Sequence, residues 1–182
     1  MAFQFNMTKI NFKAEISKIG SWTIIRLPRS ASAKLPSRGM TMVNGTVNSF
    51  NFQSPLEPDG KGSHWLNLDK KLLEGARAKL GNTVALAIEP VKEWPEPIVP
   101  ADLKKALSDD LKAREFWEDI TPNARWDWIR WINATKNPET RKIRIEKTFS
   151  KLKAGKRTAC CFNRSQCTEM EVSKNGVLLE PT

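Results

Sequence analysis

The sequence predicts an α+β protein: a small N-terminal β-barrel of about six strands with short helices, then an all-α C-terminal module. Three observations carry this. Apolar and polar residues alternate in short runs through residues 1–90, with turn residues between the runs. Residues 89–100 read Glu-Pro-Val-Lys-Glu-Trp-Pro-Glu-Pro-Ile-Val-Pro. Prolines at that density suit neither a helix interior nor a central strand. Beyond them, Thr121-Pro122 and Asn137-Pro138 are helix-start signals, a capping side chain followed by proline at the first helical position. The chain therefore divides into a barrel domain (1–90), a proline-rich linker (91–100), a helical module (101–155) and a cysteine-containing tail (156–182).

The elements follow in order. Ile10, Phe12, Ala14 and Ile16 alternate with Asn11, Lys13, Glu15 and Ser17, the pattern of a half-buried strand. Gly20-Ser21 turns the chain into a second strand, Trp22 to Leu27, which Pro28 ends. Residues 30–35 are short and helical. Met40 to Val47 and Ser49 to Gln53 are strands, with a turn or bulge expected at Asn44-Gly45. Asp59-Gly-Lys-Gly62 is a tight loop before the strand Ser63 to Leu68. Lys70 to Leu80 reads as a helix closed by Gly81. Thr83 to Ile88 is a continuous apolar strand. Helices are expected over Ala101–Ser108 and Leu111–Ile120, from Pro122 to about Ala134, and from Pro138 to Gly155. In the tail, Asn175-Gly176 marks a small hairpin.

Composition narrows the function classes. Thirty Lys and Arg face twenty Asp and Glu, a formal net charge of +10. A single histidine excludes two-histidine zinc motifs and histidine-pair proton relays. Cys160, Cys161 and Cys167 are odd in number and crowded into the tail, which is not a disulfide framework and reads as reduced thiols in a cytoplasmic protein. The expectations are no cofactor, no bound metal, no signal peptide and no membrane span, in a protein that acts as a monomer.

Residues 121–155 carry Thr-Pro-Asn-Ala-Arg, then Trp128-Ile129-x-Trp131-Ile132, then Pro138-Glu-Thr-Arg141-x-x-Arg144-Ile145, ending Leu152-x-x-Gly155. Together with Val99-Pro100-x-Asp102-Leu103 and Ala106-Leu107, this segment resembles the bacteriocin-protection, YdeI or OmpD-associated family. Leu27-Pro28, the Gly-x-Gly-x-His loop ending at His64, the apolar-basic helix and Thr83-Val-x-Leu resemble the bacterial domain of unknown function, the 1905 family, that often precedes it. The resemblance implies a small barrel plus a helical module. It implies a protective or interaction role with no established activity, and it brings no catalytic residues. Ile143 departs from the family pattern, standing where a basic residue is common.

Several constellations remain. Ile145, Phe149 and Leu152 share one face of the last helix, and Arg144, Lys147 and Lys151 cluster on another. The second group is either a solvated face or a ridge for an anionic partner. Ala124, Trp128, Trp131 and Ile132 read as core. Trp126 points elsewhere, four residues before Arg130, and is expected at the surface, in a cation–π pair with Arg130, in plain surface packing under the tail, or against a partner. Pro138, Glu139, Thr140 and Arg141 read as a structural motif. The guanidinium of Arg141 borders the buried stripe, in reach of the carbonyls near Ala134 and Thr135 or of Asp127. His64 alternates with Leu66 and Leu68 and is expected inward, as a hydrogen-bonded core residue or as a ligand or hydrolytic group. No nucleophile elbow accompanies it. Gly60-Lys-Gly62-Ser63 lacks the spacing of a phosphate loop and leads into a strand. Asp109-Asp110 suits capping better than paired acid–base chemistry.

The sequence thus points to a non-enzymatic interaction or stress-protection protein. The alternatives are weak, electrostatic nucleic-acid binding and a ligand-binding or hydrolytic barrel centred on His64.

Overall fold

The computed structural model describes residues 8–135, 137–159 and 172–182. Cys160, Cys161 and Cys167 lie outside them, as does Glu171 of the expected hairpin. The chain divides into two compact units, one of Met1–Lys92 with Glu171–Thr182 and one of Glu93–Met170. Among the described residues no helix is long and apolar enough to cross a membrane.

The first unit is a closed antiparallel barrel of six strands: β1 (Ile10–Ile19), β2 (Trp22–Arg26), β3 (Thr41–Val47), β4 (Phe50–Pro58), β5 (His64–Asn67) and β6 (Thr83–Pro90). Their order around the barrel is β1-β2-β5-β4-β3-β6. Two long strands turn its corners. Residues 10–15 of β1 pair with β6, while residues 16–19 pair with β2. Residues 50–56 of β4 pair with β3, and Glu57 and Pro58 pair with β5. Pro55 and Pro58 bracket that second corner, where a missing ladder hydrogen bond is tolerated. The interior is filled by Ile10, Ile16, Ile25, Val43, Val47, Leu66, Val84, Leu86 and Ile88, all buried. Strand β6, expected as a continuous apolar strand, alternates instead, with Thr83, Ala85 and Glu89 exposed.

Asn44-Gly45 is neither turn nor bulge. Gly45 pairs regularly with Phe52 and Ile88 in mid-strand. A Cβ there would stand 2.6 Å from the Ala87 carbonyl oxygen and 3.0 Å from the Phe52 ring, so close approach explains the glycine. The hairpin turn is Asn48-Ser49, both residues at positive φ. The Asn48 side chain fastens it by accepting from the Ala85 N–H and donating to the Ala76 carbonyl. Between the strands lie α1 (Arg29–Ser32) and α2 (Lys70–Gly75). Helix α2 stops well before Leu80, because Arg77 enters the left-handed region at φ 50°. Gly81, at φ +82°, serves the turn into β6 instead of a helix cap.

The second unit packs four helices, α3 (Ala101–Asp109), α4 (Leu111–Asp119), α5 (Pro122–Asn133) and α6 (Pro138–Lys153). Their starts follow the sequence signals. Asp110, Thr121 and Asn137 each accept a backbone N–H three residues on. Leu103, Leu107, Trp117, Trp128, Ile132, Phe149 and Leu152 form a separate core. Part of the proline-rich segment is fastened to α5. The indole of Trp94 meets that of Trp126 edge-on at 6.3 Å, and Arg125 pairs with Glu96 at 2.5 Å.

The short hairpin at Asn175-Gly176 is present as β7 (Ser173–Lys174) and β8 (Val177–Leu178). It belongs to the barrel unit. Val172 and Leu178 pack with Ile19, Ile24 and Trp65, and Trp22 borders them. This explains why Trp65, on the outward face of β5, is as buried as its inward neighbours.

Candidate functional site

His64 is fully buried, at 0% exposure. Its Nε2 lies 2.8 Å from the Gly39 carbonyl oxygen, which can only accept, so Nε2 carries the proton. The Nδ1 lone pair then accepts from the Ser32 hydroxyl at 2.8 Å. Burial holds the imidazole below its ordinary value, with nearby Arg38 in the same direction. The bond to Gly39 and the charge of Asp59 oppose it. The ring is therefore neutral, and both nitrogens are engaged. Ser32 beside His64 has the distance of a nucleophile and its base, but the Ser32 residue is also at 0% exposure. What the pair does here is tie α1 and the segment around Gly39 to β5. Around it, the Asp59 carboxylate accepts the Lys61 and Ser63 N–H groups, and the Ser63 hydroxyl donates to the Leu27 carbonyl. Nothing in the sequence marked Ser32 and Gly39 as partners, because the contact crosses about thirty residues of chain.

The second cluster is on α5 and α6. Arg144 donates from Nη1 to the Trp131 carbonyl at 2.6 Å, and its guanidinium carbon sits 5.3 Å from the Trp131 ring centroid. Lys151, two turns further along α6, brings its ammonium to 5.7 Å from the same ring. Lys147 is exposed on the turn between them, and Arg144 and Lys151 are half-buried. Burial lowers the Arg144 pKa, yet a guanidinium stays charged. The expected ridge of Arg144, Lys147 and Lys151 is thus one surface, organised around an aromatic ring that the sequence assigned to the core. Trp131 is only half-buried, and it meets the buried Trp128 edge-on at 6.0 Å.

Arg141, read from the sequence as a structural residue, is held by partners other than those expected. Its Nε and Nη2 grip both oxygens of Asp102 at 2.5 and 2.9 Å. Nη1 donates to the Asn133 side chain at 2.7 Å and, more weakly, to the Ile132 carbonyl at 3.4 Å. Those partners replace the carbonyls near Ala134 and Thr135 and the carboxylate of Asp127. The reason is that the first turn of α3 comes within side-chain reach of the start of α6, which sequence spacing did not reveal. The pair shifts both groups: Arg141 holds Asp102 below the usual carboxylate range, and Asp102 raises Arg141. Pro138, Glu139 and Thr140 form the first turn of α6 ahead of this clamp, under the Asn137 cap.

Trp126 and Arg130 do not form the expected cation–π pair, and among the described residues Trp126 packs under the proline-rich segment, not the tail. Trp126 is half-buried, and its indole N–H donates to the Pro95 carbonyl at 2.8 Å. Arg130 is buried at 8% exposure, 3.7 Å from the Asp127 carboxylate. The two do not form an exposed pair, because the proline-rich segment lies over Trp126 and Arg130 turns toward Asp127. Among the described residues no three His, Cys, Asp or Glu side chains group as metal ligands.

Comparison with known families matches both parts of the chain. Residues 96–155 match the family described as bacteriocin-protection, YdeI or OmpD-associated, and residues 12–88 match a domain of unknown function, DUF1905. The second match covers the barrel from β1 to β6, and the first covers all four helices and the segment leading into them. Comparison with the curated proteins gives no match.

Proposed function

We propose, for a chain that joins a DUF1905 barrel to a YdeI or OmpD-associated helical domain, a non-enzymatic interaction role in the cytoplasm. Its working surface is the basic face of α6, and its partner is an acidic segment of another protein. One observation carries the reading: Arg144 and Lys151 converge on the half-buried ring of Trp131, with Lys147 exposed between them. An indole flanked by cations is the composition of a protein-binding hot spot. The patch spans about two helical turns, roughly 10 Å. That suits a few carboxylates better than the long phosphate track of a nucleic acid. The engagement of both His64 nitrogens in the barrel interior supports a structural histidine over a hydrolytic one.

The test is titration of a poly-glutamate peptide into the whole chain, with single-stranded DNA as the comparison. The peptide should bind saturably, and Lys147→Glu with Lys151→Glu should weaken it by at least about tenfold, or about 1.4 kcal/mol. DNA should bind weakly, without sequence preference, and release as salt rises. Peptide binding that is absent, or unchanged in the double variant, would overturn the reading. Sequence-selective DNA binding that survives high salt would replace it with the nucleic-acid alternative.

A further inference from the structure

The C-terminal hairpin occupies a built receptor on the barrel. Leu178 is 2% exposed and Val172 is 0%, both seated against Ile19, Ile24 and Trp65. Main-chain bonds fix the register. The Leu178 N–H donates to the Asp59 carbonyl at 2.9 Å, and the Thr182 N–H to the Lys18 carbonyl at 3.0 Å. Two residues past Leu178, the Glu180 carboxylate is held by two cations. Arg26 Nη1 donates to Oε2 at 2.9 Å and Lys61 Nζ to Oε1 at 2.5 Å. Arg26 also donates to the Leu179 carbonyl. The two cations hold Glu180 below the usual carboxylate range. Gly60 completes the fit: a Cβ there would stand 2.1 Å from the Gly176 carbonyl oxygen. The β4–β5 loop and the hairpin turn therefore meet backbone to backbone.

The barrel thus presents an aliphatic seat, two main-chain acceptors and a paired-cation anion site, spaced for an aliphatic-x-glutamate segment. Strands of two residues do not persist alone in water, so this hairpin holds its shape only where such a receptor supports it. Every receptor group named here comes from residues 18–65, at the far end of the chain from the segment it binds. Covalent continuity is not part of the recognition.

We propose that this face of the barrel is a self-recognition site that accepts the C-terminal hairpin of a second copy of the chain. The second copy carries the one segment whose fit is already demonstrated, and exchange between copies needs no new interface. In a dilute single copy the tethered hairpin wins, because its effective concentration is in the millimolar range. The chain is then a monomer, and exchange emerges when tether and receptor are uncoupled or the chain is concentrated.

The experiment uses two full-length variants. Glu180→Lys leaves the receptor intact and spoils the hairpin. Arg26→Glu with Lys61→Glu spoils the receptor and leaves the hairpin intact. Each alone should be monomeric by light scattering. Mixed, they should form a one-to-one species of twice the mass, because the intact hairpin of one finds the intact receptor of the other. That species should dissociate as salt rises and screens the Glu180 contacts. Two folded variants that stay monomeric when mixed would overturn the proposal. Should circular dichroism show either variant unfolded, a dye-labelled peptide of residues 172–182 titrated into a full-length Leu178→Ser variant, whose own hairpin no longer holds the seat and whose receptor is intact, reads the same exchange. Saturable binding displaced by unlabelled peptide supports the proposal, and none up to about 1 mM overturns it.

Discussion

In the barrel, the side chain that ties α1 and the Gly39 segment to β5 is neutral and wholly buried. In the helical unit, the side chains that tie α6 to its neighbours are cations near the surface. Arg141 reaches Asp102 at the start of α3, and Lys153 reaches Asp110, the cap of α4. Arg157, just past α6, reaches Asp119 at 2.6 Å. The difference follows from geometry. A closed barrel satisfies its backbone in the ladders, and the polar groups it buries around His64 are matched inside it: the imidazole between a hydroxyl and a carbonyl, the Asp59 carboxylate and the Ser63 hydroxyl on neighbouring backbone. Four short helices leave capped ends and exposed carbonyls around a small core, and long charged side chains are what reach across them. The two units should therefore respond differently to mutation, pH and salt.

The largest contrast comes from the cores. Trp128 is fully buried, its indole N–H 3.3 Å from the Arg157 carbonyl. Trp128→Ala should cost about 3–5 kcal/mol. Hydrogen exchange should show the loss in α3–α6 alone, with the ladders of β1–β6 protected as before. Equal loss of protection in both units would mean that they fold as one, and the contrast would fail.

His64→Ala tests the barrel's buried tie. It strands the Ser32 hydroxyl and the Gly39 carbonyl and opens a void, so about 2–4 kcal/mol is expected. The pH dependence has a definite sign. Burial holds the folded imidazole below its ordinary value of 6.5, so the unfolded chain takes up the proton first and stability rises with pH. The contribution is complete above about pH 6.5 and is lost as pH falls below that toward the folded value. The Asp102 clamp behaves at lower pH. Its carboxyl is depressed from 3.8, so its contribution persists until pH falls below about 4. Denaturant melts read by unit between about pH 6.5 and 4 should thus weaken the barrel and spare the helices. A pH slope that survives His64→Ala would show that another group carries it.

How much of this was legible in the sequence depends on whether each signal was local. The inward direction of His64 followed from alternation with Leu66 and Leu68. The starts of α5 and α6 followed from Thr121-Pro122 and Asn137-Pro138. Period and capping act within a few residues, and the chain states them directly. Partners across long separations were not stated. Asp102 lies 39 residues from Arg141, and Glu180 lies 154 from Arg26. Gly45 had the look of a turn residue because its cause, the Ala87 carbonyl and the Phe52 ring, sits on other strands. Trp131 counted as core by helical spacing, and only the position of α6 leaves its ring half open to Arg144 and Lys151.

Arg141→Ala sharpens the contrast by salt. The bidentate pair with Asp102 is partly exposed, and the bond to Asn133 adds to it, so about 1–2 kcal/mol is expected. Raising salt should shrink the difference between wild type and variant, because screening weakens the charged part first. The same titration should leave the cost of His64→Ala unchanged. A salt-independent Arg141 effect would mean that its packing, and not its charge, holds α3 to α6.

The smallest expected effect on stability belongs to Lys147→Glu, and it separates fastening from function within α6. Lys147 is exposed between two cations that are themselves partly engaged: Arg144 is bonded to the Trp131 carbonyl, and Arg144 and Lys151 both stand over its ring. The Lys147 ammonium has no comparable seat on the ring, so reversing its charge should change stability by no more than about 0.5 kcal/mol. Arg144→Ala, by contrast, removes a hydrogen bond and a ring contact and should lower the melting temperature measurably. If the basic face is the working surface, Lys147→Glu should weaken poly-glutamate binding while the melt stays put. A variant that melts with the wild type and binds the peptide equally well would reduce this face to solvated charge. The difference between the two units would then be one of stability chemistry alone.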